Sequence, residues 1–272
     1  MNGVRDNIDA LARIIAAMDR VAVAVSGGVD SLTLATLVHG QVAQRAEMFH
    51  AVSPAVPADA TKRVQALASE QGWRLHIIDA GEFGDADYRV NPVNRCFYCK
   101  TNLYGAIAPR TDAQIVSGTN LDDLGEYRPG LEAAKTHSVR HPFVEAEVDK
   151  ASVRSIARNF GLGNIAELPS APCLSSRIET GIGIDPSMLQ LVDKTEKMVG
   201  NTLQPNTVRC RVRAKGVVVE LDETTLAATG PDDREALSDR IAALFSGEGF
   251  DFQVSFAPYR VGSAFIQPIR MM

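Results

Sequence analysis

The chain has 272 residues, of which 45% are hydrophobic and 22% charged, with a formal net charge of −5 and an isoelectric point near 5.6. These totals are typical of a globular protein with one large or two moderate domains, and they disfavour a broad nucleic-acid-binding surface. No segment approaches the roughly 18 apolar residues of a membrane span, and the charged N-terminal segment lacks a secretory signal core, so we expect a cytoplasmic protein with no membrane partner.

The N-terminal segment predicts an amphipathic helix, after which strand-like and helix-like stretches alternate up to about residue 165. One face of the first helix carries the apolar residues Ile8, Leu11, Ile15 and Met18. The next predicted elements are strand Val21–Val25, helix Ser31–Ala43, strand Glu47–Val52, helix Ala58–Gln71, strand Arg74–Ile78, helix Cys99–Ala108, strand Gln114–Ser117 and helix Lys150–Phe160. This alternation predicts an α/β fold with a doubly wound parallel sheet, in which ligands bind beyond the carboxyl ends of the strands.

The composition changes over residues 163–187, which are rich in Pro, Gly and Ser. A loop of this length favours a functional role over a simple connection. The elements predicted beyond it are helix Met188–Val199, strands Asn206–Arg213 and Val217–Leu221, helix Asp232–Phe245 and strand Asp251–Phe256. We therefore expect a smaller C-terminal α+β domain and place the boundary after residue 183, which gives domains 1–183 and 184–272.

The segment SGGVDS, residues 26–31, stands between the first predicted strand and the helix after it. Its glycines allow a tight turn and a close approach of the backbone to a ligand. Several main-chain N–H groups would then point at one spot at the positive end of the helix dipole. Asp30 could hold magnesium or begin the helix. The predicted phosphate-binding residues are Ser26, Gly27, Gly28, Val29, Asp30 and Ser31; the alternative is a plain strand–turn–helix junction.

A second turn, SGTNLDDLGEYRPG at residues 117–130, also follows a predicted strand. Its candidate nucleotide-binding residues are Gly118, Thr119 and Asn120. The acidic side chains of Asp122, Asp123 and Glu126 could help to place magnesium. Arg128 could bind a phosphate or a carboxylate. The alternative is a solvated turn with scattered charges.

The cysteines form a third pattern, because Cys96 and Cys99 make a C-x-x-C pair and Cys173 lies in the Pro/Gly/Ser-rich loop. Arg95 and Lys100 flank the pair and would favour thiolates. Three thiolates leave one position open on zinc or on one corner of an iron–sulfur cluster. A redox dithiol, a structural zinc site and unliganded cysteines are the alternatives from spacing alone.

The strand predicted at residues 206–213 carries arginines at every second position. Because side chains alternate across a strand, Arg209, Arg211 and Arg213 would share one face and Cys210 would lie in the core as a small hydrophobe. Such a row suits an anionic ligand. The alternative is a solvated face with acidic partners such as Glu220.

The glycine spacing of SGGVDS matches neither G-x-x-x-x-G-K-[ST] nor G-x-G-x-x-G, and it resembles the PP-loop of the N-type ATP pyrophosphatases. Together with the other motifs, the chain resembles the LarE family of ATP-dependent sulfur transferases, which make the nickel-pincer nucleotide cofactor. The matching segments are SGGVDS (26–31), NPVNRCFYCK (91–100), GTNLDDLGEYRPGLEAA (118–134), PCLSSRI (172–178), VRCRV (208–212) and YRVGSAF (259–265).

The resemblance implies an enzyme that uses ATP and magnesium to adenylate a carboxylate of pyridinium-3,5-biscarboxylic acid mononucleotide. Sulfur then replaces the activated oxygen to give a thiocarboxylate, and AMP leaves. In one branch of the family a single cysteine, matched here by Cys173, sacrifices its sulfur. In another, three cysteines matched by Cys96, Cys99 and Cys173 hold a 4Fe–4S cluster. The family's arginine after the sulfur-bearing cysteine matches Arg177. Glu179, Thr180 and the absence of an acidic residue before the Tyr-Arg pair depart from the family pattern.

The sacrificial mechanism needs only Cys173, whereas the cluster mechanism uses all three cysteines, so we favour the 4Fe–4S cluster. We separately expect Asp30 and Asp122 to be magnesium ligands. The expected partners are a small-molecule nucleotide substrate and a sulfur donor, with a homo-oligomer left open. The alternative functions are another PP-loop enzyme, for tRNA thiolation or of the amidotransferase-synthetase type, and a non-catalytic nucleotide or iron–sulfur binding protein. The isoelectric point argues against a tRNA enzyme.

Overall fold

The computed structural model of the chain describes residues 2–125 and 127–265, so Glu126 of the predicted acidic group lies outside the described residues. The chain forms two compact units. Unit one contains the residues up to Asp85 together with Asn94–Ala171, and unit two contains Ala86–Val93 together with the described residues from Pro172 onward. None of the helices in the described part of the chain combines the length and apolarity that a membrane span needs.

The secondary structure alternates as far as residue 166 and then becomes mixed. The strands are β1 (Val21–Ala24), β2 (Ala46–Ala51), β3 (Leu75–Ile78), β4 (Gln114–Ser117), β5 (Val208–Arg213), β6 (Gly216–Leu221) and β7 (Val254–Pro258). The helices are α1 (Asn2–Ala16), α2 (Val29–Val42), α3 (Ala58–Gln71), α4 (Ala86–Arg89), α5 (Arg95–Ile107), α6 (Gly130–Thr136), α7 (Pro142–Glu145), α8 (Lys150–Asn159), α9 (Gly163–Ala166), α10 (Pro186–Leu203), α11 (Glu223–Ala228) and α12 (Pro231–Ser246).

Unit one is built on a four-stranded sheet in the order β3-β2-β1-β4, in which every neighbouring pair is parallel. All four residues of β1 are buried, as expected for a strand that is covered on both faces. The predicted parallel α/β sheet is confirmed, and its arrangement is compatible with a Rossmann-like doubly wound fold. The carboxyl ends of β1 and β4 therefore lie side by side.

Hydrophobic periodicity accounts for helix α1. Leu11 and Ile15 of α1 are fully buried, and Ile8 packs against the same core. The predicted bounds of α3 and β4 agree with the structure. The start predicted for α5 at Cys99 is wrong, because the helix begins one turn earlier, at Arg95. The C-x-x-C pair therefore lies within the first turns of a helix.

Unit two contains a three-stranded mixed sheet, in which β5 and β6 form an antiparallel hairpin and β7 pairs with β6 in parallel. Helix α10 packs on β5. Its N-terminus is capped by Asp185, whose carboxylate accepts hydrogen bonds from the main-chain N–H groups of Ser187 and Met188. Unit two thus combines a mixed sheet with helices: α10 precedes β5, and α11 and α12 lie between β6 and β7.

The short segment Ala86–Val93 belongs to unit two through buried polar contacts. The Asn91 side-chain amide donates to the carbonyl oxygens of Glu179 and Ile182, at 2.9 Å each. The Asn91 carbonyl accepts from the N–H of Gly181 at 2.9 Å. Tyr88 shares a 2.7 Å hydrogen bond with Ser175. Replacing Asn91 would lower the free energy of unfolding, because the buried carbonyls that accept from its amide would lose their hydrogen bonds.

We expect Asn91→Ala to destabilise unit two by about 2–4 kcal/mol, because it leaves buried carbonyls unpaired at a backbone position with φ of +54°. Urea unfolding followed by fluorescence and circular dichroism measures the change. The matched control is Asn201→Ala on the exposed side of α10, which should stay within about 0.5 kcal/mol of the wild type. Equal stability of the two variants would contradict this account of the segment.

Candidate functional site

The loop SGGVDS joins the end of β1 to α2, so it lies at the carboxyl edge of the parallel sheet. Gly27 has φ of +85°, and a Cβ there would lie 2.7 Å from the carbonyl oxygen of Ala60. Gly28 has φ of −88°, and its nearest neighbour to a Cβ is 3.7 Å away. The fold therefore requires glycine at position 27, whereas position 28 needs it only if a ligand approaches the loop.

The two serines of the loop hydrogen-bond to the loop itself. The Ser31 hydroxyl accepts from the N–H of Ser26 at 3.0 Å, donates to the Gly28 carbonyl at 3.1 Å and lies 3.1 Å from the Ser26 hydroxyl. These contacts hold the turn closed, so the role predicted for both hydroxyls toward a ligand stays a prediction. The first N–H groups of α2, including those of Val29 and Asp30, have no helical carbonyl before them and face the start of the helix.

The two turns predicted separately meet at Asp30. A Cβ on Gly118 would lie 2.8 Å from the carbonyl carbon of Asp30 and from the nitrogen of Ser31, so β4 ends directly against the first turn of α2. The Asn120 side-chain amide donates to the Asp30 carboxylate at 3.2 Å. Thr119 bonds to the hydroxyl of Ser117 at 3.0 Å instead. Gly118 and Asn120 thus build the same site as the glycine loop.

Lys150 is a site residue that the sequence analysis missed. Its ammonium group forms an ion pair with the Asp30 carboxylate, and its main-chain N–H donates to Asp122 at 3.3 Å. Lys150 is the first residue of α8, after Asp149, which caps the helix by accepting from the N–H of Ser152 at 2.7 Å. A lysine at the positive end of a helix dipole is locally unfavourable, and that conflict is the sequence signal that could have revealed it.

The remaining polar residues of the second turn lie around this centre. Asp123 accepts from the N–H of Asn120 at 3.0 Å and forms a 2.8 Å ion pair with Arg128. His141 bonds to the Ser117 hydroxyl at 2.9 Å. Burial lowers the pKa of His141, an effect that the charge of Glu145 opposes, so the imidazole is held neutral. Asp123 and Arg128 neutralise each other, and a ligand role for Arg128 stays a prediction.

The three cysteines of the proposed cluster are divided between the units. Cys96 and Cys99 are one turn apart on α5 in unit one, and both are half-buried. Cys173, also half-buried, belongs to unit two. Among the residues that the structure describes, no group of three or more His, Cys, Asp or Glu side chains is arranged to hold a metal ion. The iron–sulfur cluster therefore stays a prediction.

Arg177 holds the cysteine segment of unit two in place. Its guanidinium donates to the carbonyl oxygens of Pro172 at 2.7 Å and Cys173 at 3.3 Å, and it pairs with Glu196 through two contacts of 2.9 and 3.1 Å. Burial opposes its charge, but Glu196 outweighs burial and raises the pKa of Arg177. The conformation around Cys173 thus depends on a buried arginine–glutamate pair.

The arginine row of β5 lies opposite a buried core face, as the alternation predicts. Cys210 is fully buried, and burial raises its pKa well above the usual range, which confirms it as a small core residue. Arg211 and Arg213 each lie 3.0 Å from the buried carboxylate of Glu220. The alternative to an anion site was a solvated face with acidic partners such as Glu220. Glu220 is indeed a partner of this row, but the pairing is buried. Whether the row also binds an anion stays a prediction.

Arg209 differs from the other two arginines of the row. Its guanidinium lies 5.7 Å from the ring centre of Tyr259 and donates to the Val208 carbonyl at 2.7 Å. Burial, and next the positive charge of Arg177, lower the pKa of Arg209, while Glu196 opposes them. The charges of Arg177 and Arg209 therefore act on the same region, where the carboxylate of Glu196 offsets part of them.

The fold and this geometry define an α/β protein with a preformed glycine loop at the carboxyl edge of a parallel sheet. No protein-family model matches the chain. An uncharacterized protein of Synechocystis sp., slr1717, is 33% identical over 222 residues, which cover 80% of this chain and 82% of that protein. The chain belongs to the family of this Synechocystis protein.

Two more distant relatives extend the comparison. The uncharacterized protein MJ0830 of Methanocaldococcus jannaschii is 25% identical over 208 residues, 75% of this chain and 78% of its own length. Pyridinium-3,5-bisthiocarboxylic acid mononucleotide synthase of Lactiplantibacillus plantarum is 27% identical over 247 residues, 86% of this chain and 84% of that enzyme. The similarity to the synthase therefore spans most of both units.

We expect Gly27→Ser to lower the free energy of unfolding by about 1–3 kcal/mol, because a side chain at φ +85° would press on the Ala60 carbonyl. The same change at the neighbouring position, Gly28→Ser, should stay within about 0.5 kcal/mol of the wild type. Urea unfolding of both variants measures the difference. A Gly28 variant as unstable as the Gly27 variant would show that the loop is constrained in another way.

Proposed function

We propose that this protein is an ATP-dependent sulfur transferase of the LarE type. It adenylates a carboxylate of a pyridinium mononucleotide and exchanges the activated oxygen for sulfur. The observation that carries the proposal is the meeting of the glycine loop, Gly118, Asn120 and Lys150 at Asp30. The similarity to a synthase named for a bisthiocarboxylic acid mononucleotide supports the choice of substrate class.

The nucleotide would bind with its phosphates on the loop of residues 27–31. The unpaired N–H groups in the first turn of α2 suit an anion at the helix N-terminus. Lys150, half-buried beside Asp30, would supply a positive charge to the same phosphates. The open position at Gly28 leaves room for the backbone to approach them.

Magnesium fits the donor set around Asp30. The carboxylates of Asp30 and Asp122 are the hard oxygen ligands that this ion prefers, and both are bound to Lys150, one to its ammonium group and one to its N–H. Magnesium bound there would neutralise charge on the departing pyrophosphate. Lys150 would then release the Asp30 carboxylate and turn its ammonium group to a phosphate.

The first chemical step exchanges one phosphate bond for another. A carboxylate oxygen of the substrate attacks the α-phosphorus of ATP, the bond to the β-phosphate oxygen breaks, and pyrophosphate leaves with the electron pair. The product is an acyl adenylate, whose leaving group is AMP. A free carboxylate has no comparable leaving group, so this activation is what the loop and its cations would be built to stabilise.

The second step brings sulfur to the activated carbon. In the sacrificial route, the Cys173 thiolate attacks that carbon and AMP leaves, which forms a thioester. Loss of the cysteine α-proton then breaks the Cβ–S bond, leaving a thiocarboxylate and dehydroalanine. In the cluster route, Cys96, Cys99 and Cys173 would hold a 4Fe–4S group that carries an extra sulfide. The thiols of Cys96 and Cys99, one turn apart on α5, suit two of its irons.

Residues of unit two would bind the substrate and place the sulfur source. Arg177 fixes the carbonyls of Pro172 and Cys173 and so would set the direction of the Cys173 thiol. The positive region at Arg209 would suit the phosphate of a mononucleotide. Arg211 and Arg213, paired with Glu220, would support that region rather than contribute full charges.

We expect purified protein to release AMP and pyrophosphate from ATP in the presence of magnesium and pyridinium-3,5-biscarboxylic acid mononucleotide. Asp30→Asn should lower this rate at least about a hundredfold, because it removes a carboxylate that would hold magnesium at the departing pyrophosphate. Gly28→Val should abolish ATP binding by steric conflict with the phosphates and leave the fold intact. The control is Asp9→Asn on the exposed face of α1.

Three results would contradict the proposal in different ways. Binding of ATP without pyrophosphate release would favour a non-catalytic nucleotide protein. Release with another acceptor, but not with the pyridinium nucleotide, would favour a different enzyme of the PP-loop class. A full rate in Asp30→Asn would exclude the site described around Asp30.

The sulfur route is decided by protein purified without oxygen. With a cluster, we expect brown protein with about four irons per chain, and loss of the iron in Cys96→Ala, Cys99→Ala and Cys173→Ala. Cys210→Ala, a buried cysteine outside the predicted set, should keep it. Colourless protein that turns over once and loses the mass of one H₂S at Cys173 would establish the sacrificial route instead.

A further inference from the structure

Helix α3 contacts the glycine loop of unit one at Gly27. The carbonyl of Ala60 occupies the space that a Cβ on Gly27 would need, and the Arg63 guanidinium donates from Nε to the Gly27 carbonyl at 3.2 Å. One turn of α3 thus contacts the loop through both its backbone and a cationic side chain.

A buried histidine joins the same helix to the end of β1. The His50 Nδ1–H donates to the Val25 carbonyl at 2.8 Å, and its Nε2 accepts from the Thr61 hydroxyl at 2.9 Å. Burial lowers the pKa of His50, which keeps the ring in the neutral form that this pair of bonds requires. Helix α3 is therefore joined to the end of β1 by His50 as well as to the loop by Arg63.

Arg63 carries more hydrogen-bonding capacity than the loop uses. A guanidinium has five N–H donors in a plane, and only Nε–H is engaged, by the Gly27 carbonyl. Within residues 2–125 and 127–265, neither terminal amino group of Arg63 has a hydrogen-bond or ion-pair partner. Its neighbour Lys62, by contrast, lies 3.8 Å from the carboxylate of Asp59 and is mostly exposed.

In the part of the chain that the structure describes, Arg63 has no carboxylate partner, in contrast to Arg177, Arg211 and Arg213 of unit two. The positive charge of Arg63 is instead placed half-buried at the loop whose N–H groups suit an anion. A phosphate group is the ligand that would use both the free donors and the charge, because a planar guanidinium binds phosphate oxygens in pairs.

We propose that Arg63 is a phosphate-binding residue that contacts the pyrophosphate portion of ATP at the glycine loop. The proposal rests on the function proposed above and names a contact for the departing group of that reaction. Arg63 would bind the β- and γ-phosphates because they carry most of the charge of ATP and because that charge is retained by pyrophosphate when it leaves. AMP, which lacks both phosphates, would not use it.

The test is isothermal titration calorimetry of the full chain with magnesium pyrophosphate, ATP and AMP as separate probes. We expect Arg63→Gln to weaken binding of pyrophosphate and ATP about tenfold to a hundredfold, the loss of one charge-assisted contact, and to leave AMP affinity unchanged. Glutamine keeps a side-chain donor for the Gly27 carbonyl, so the melting temperature should not change. Arg63→Lys, which keeps the charge, should recover part of the affinity.

Lys62→Gln is the matched control, because it removes the adjacent positive charge on the exposed face and should bind all three probes like the wild type. Wild-type pyrophosphate affinity in Arg63→Gln would overturn the proposal. Equal losses for AMP and pyrophosphate, with a lower melting temperature, would also overturn it by showing that Arg63 only supports the loop. A wild-type protein that binds neither ATP nor pyrophosphate would instead remove the proposed function itself, and this inference with it.

Discussion

Two close backbone contacts are the constraint on which the candidate site depends, one between Gly118 and the first turn of α2 and one between Gly27 and the Ala60 carbonyl of α3. Gly118 at the end of β4 and Gly27 in the loop each leave less than 3 Å for a Cβ, and the obstacle at both places is main chain rather than a flexible side chain. Neither position can be relieved by a rotamer change. The loop is consequently held in one conformation, and its N–H groups are oriented before any ligand binds, which lowers the entropic cost of binding.

The ion pair between Asp30 and Lys150 is the second feature that fixes the candidate site in unit one. Asp30 stands in the first turn of α2, where a carboxylate is favourable, and it receives hydrogen bonds from Asn120 and Lys150. Lys150 stands in the first turn of α8, where a cation is unfavourable, so its pairing with Asp30 offsets a local penalty. In the proposed reaction this pair would separate, because magnesium would bind the Asp30 carboxylate and a phosphate would bind the Lys150 ammonium group.

Unit two uses buried carboxylates in a different way. Glu220 is 2% exposed and binds Arg211 and Arg213, and Glu196 binds Arg177. Removing one member of such a pair leaves a buried charge without a partner, at a cost of about 3–5 kcal/mol. These arginines are therefore structural supports first. Arg209 beside them is the member of the row whose charge the surroundings do not favour, which suits a contact with an anion.

The amino-acid sequence by itself determined the alternation of strands and helices, the glycine loop after β1 and the buried face of Cys210. These features follow from periodicity and from residues that are neighbours in the chain, and the bounds of α3 and β4 were predictable for that reason. Only the tertiary structure decided that Lys150 pairs with Asp30, that Asn91 belongs to unit two, and that Arg63 lies at Gly27. Each of these contacts joins residues far apart in sequence, and no local pattern specifies which distant side chain will fill a given space or satisfy a given charge.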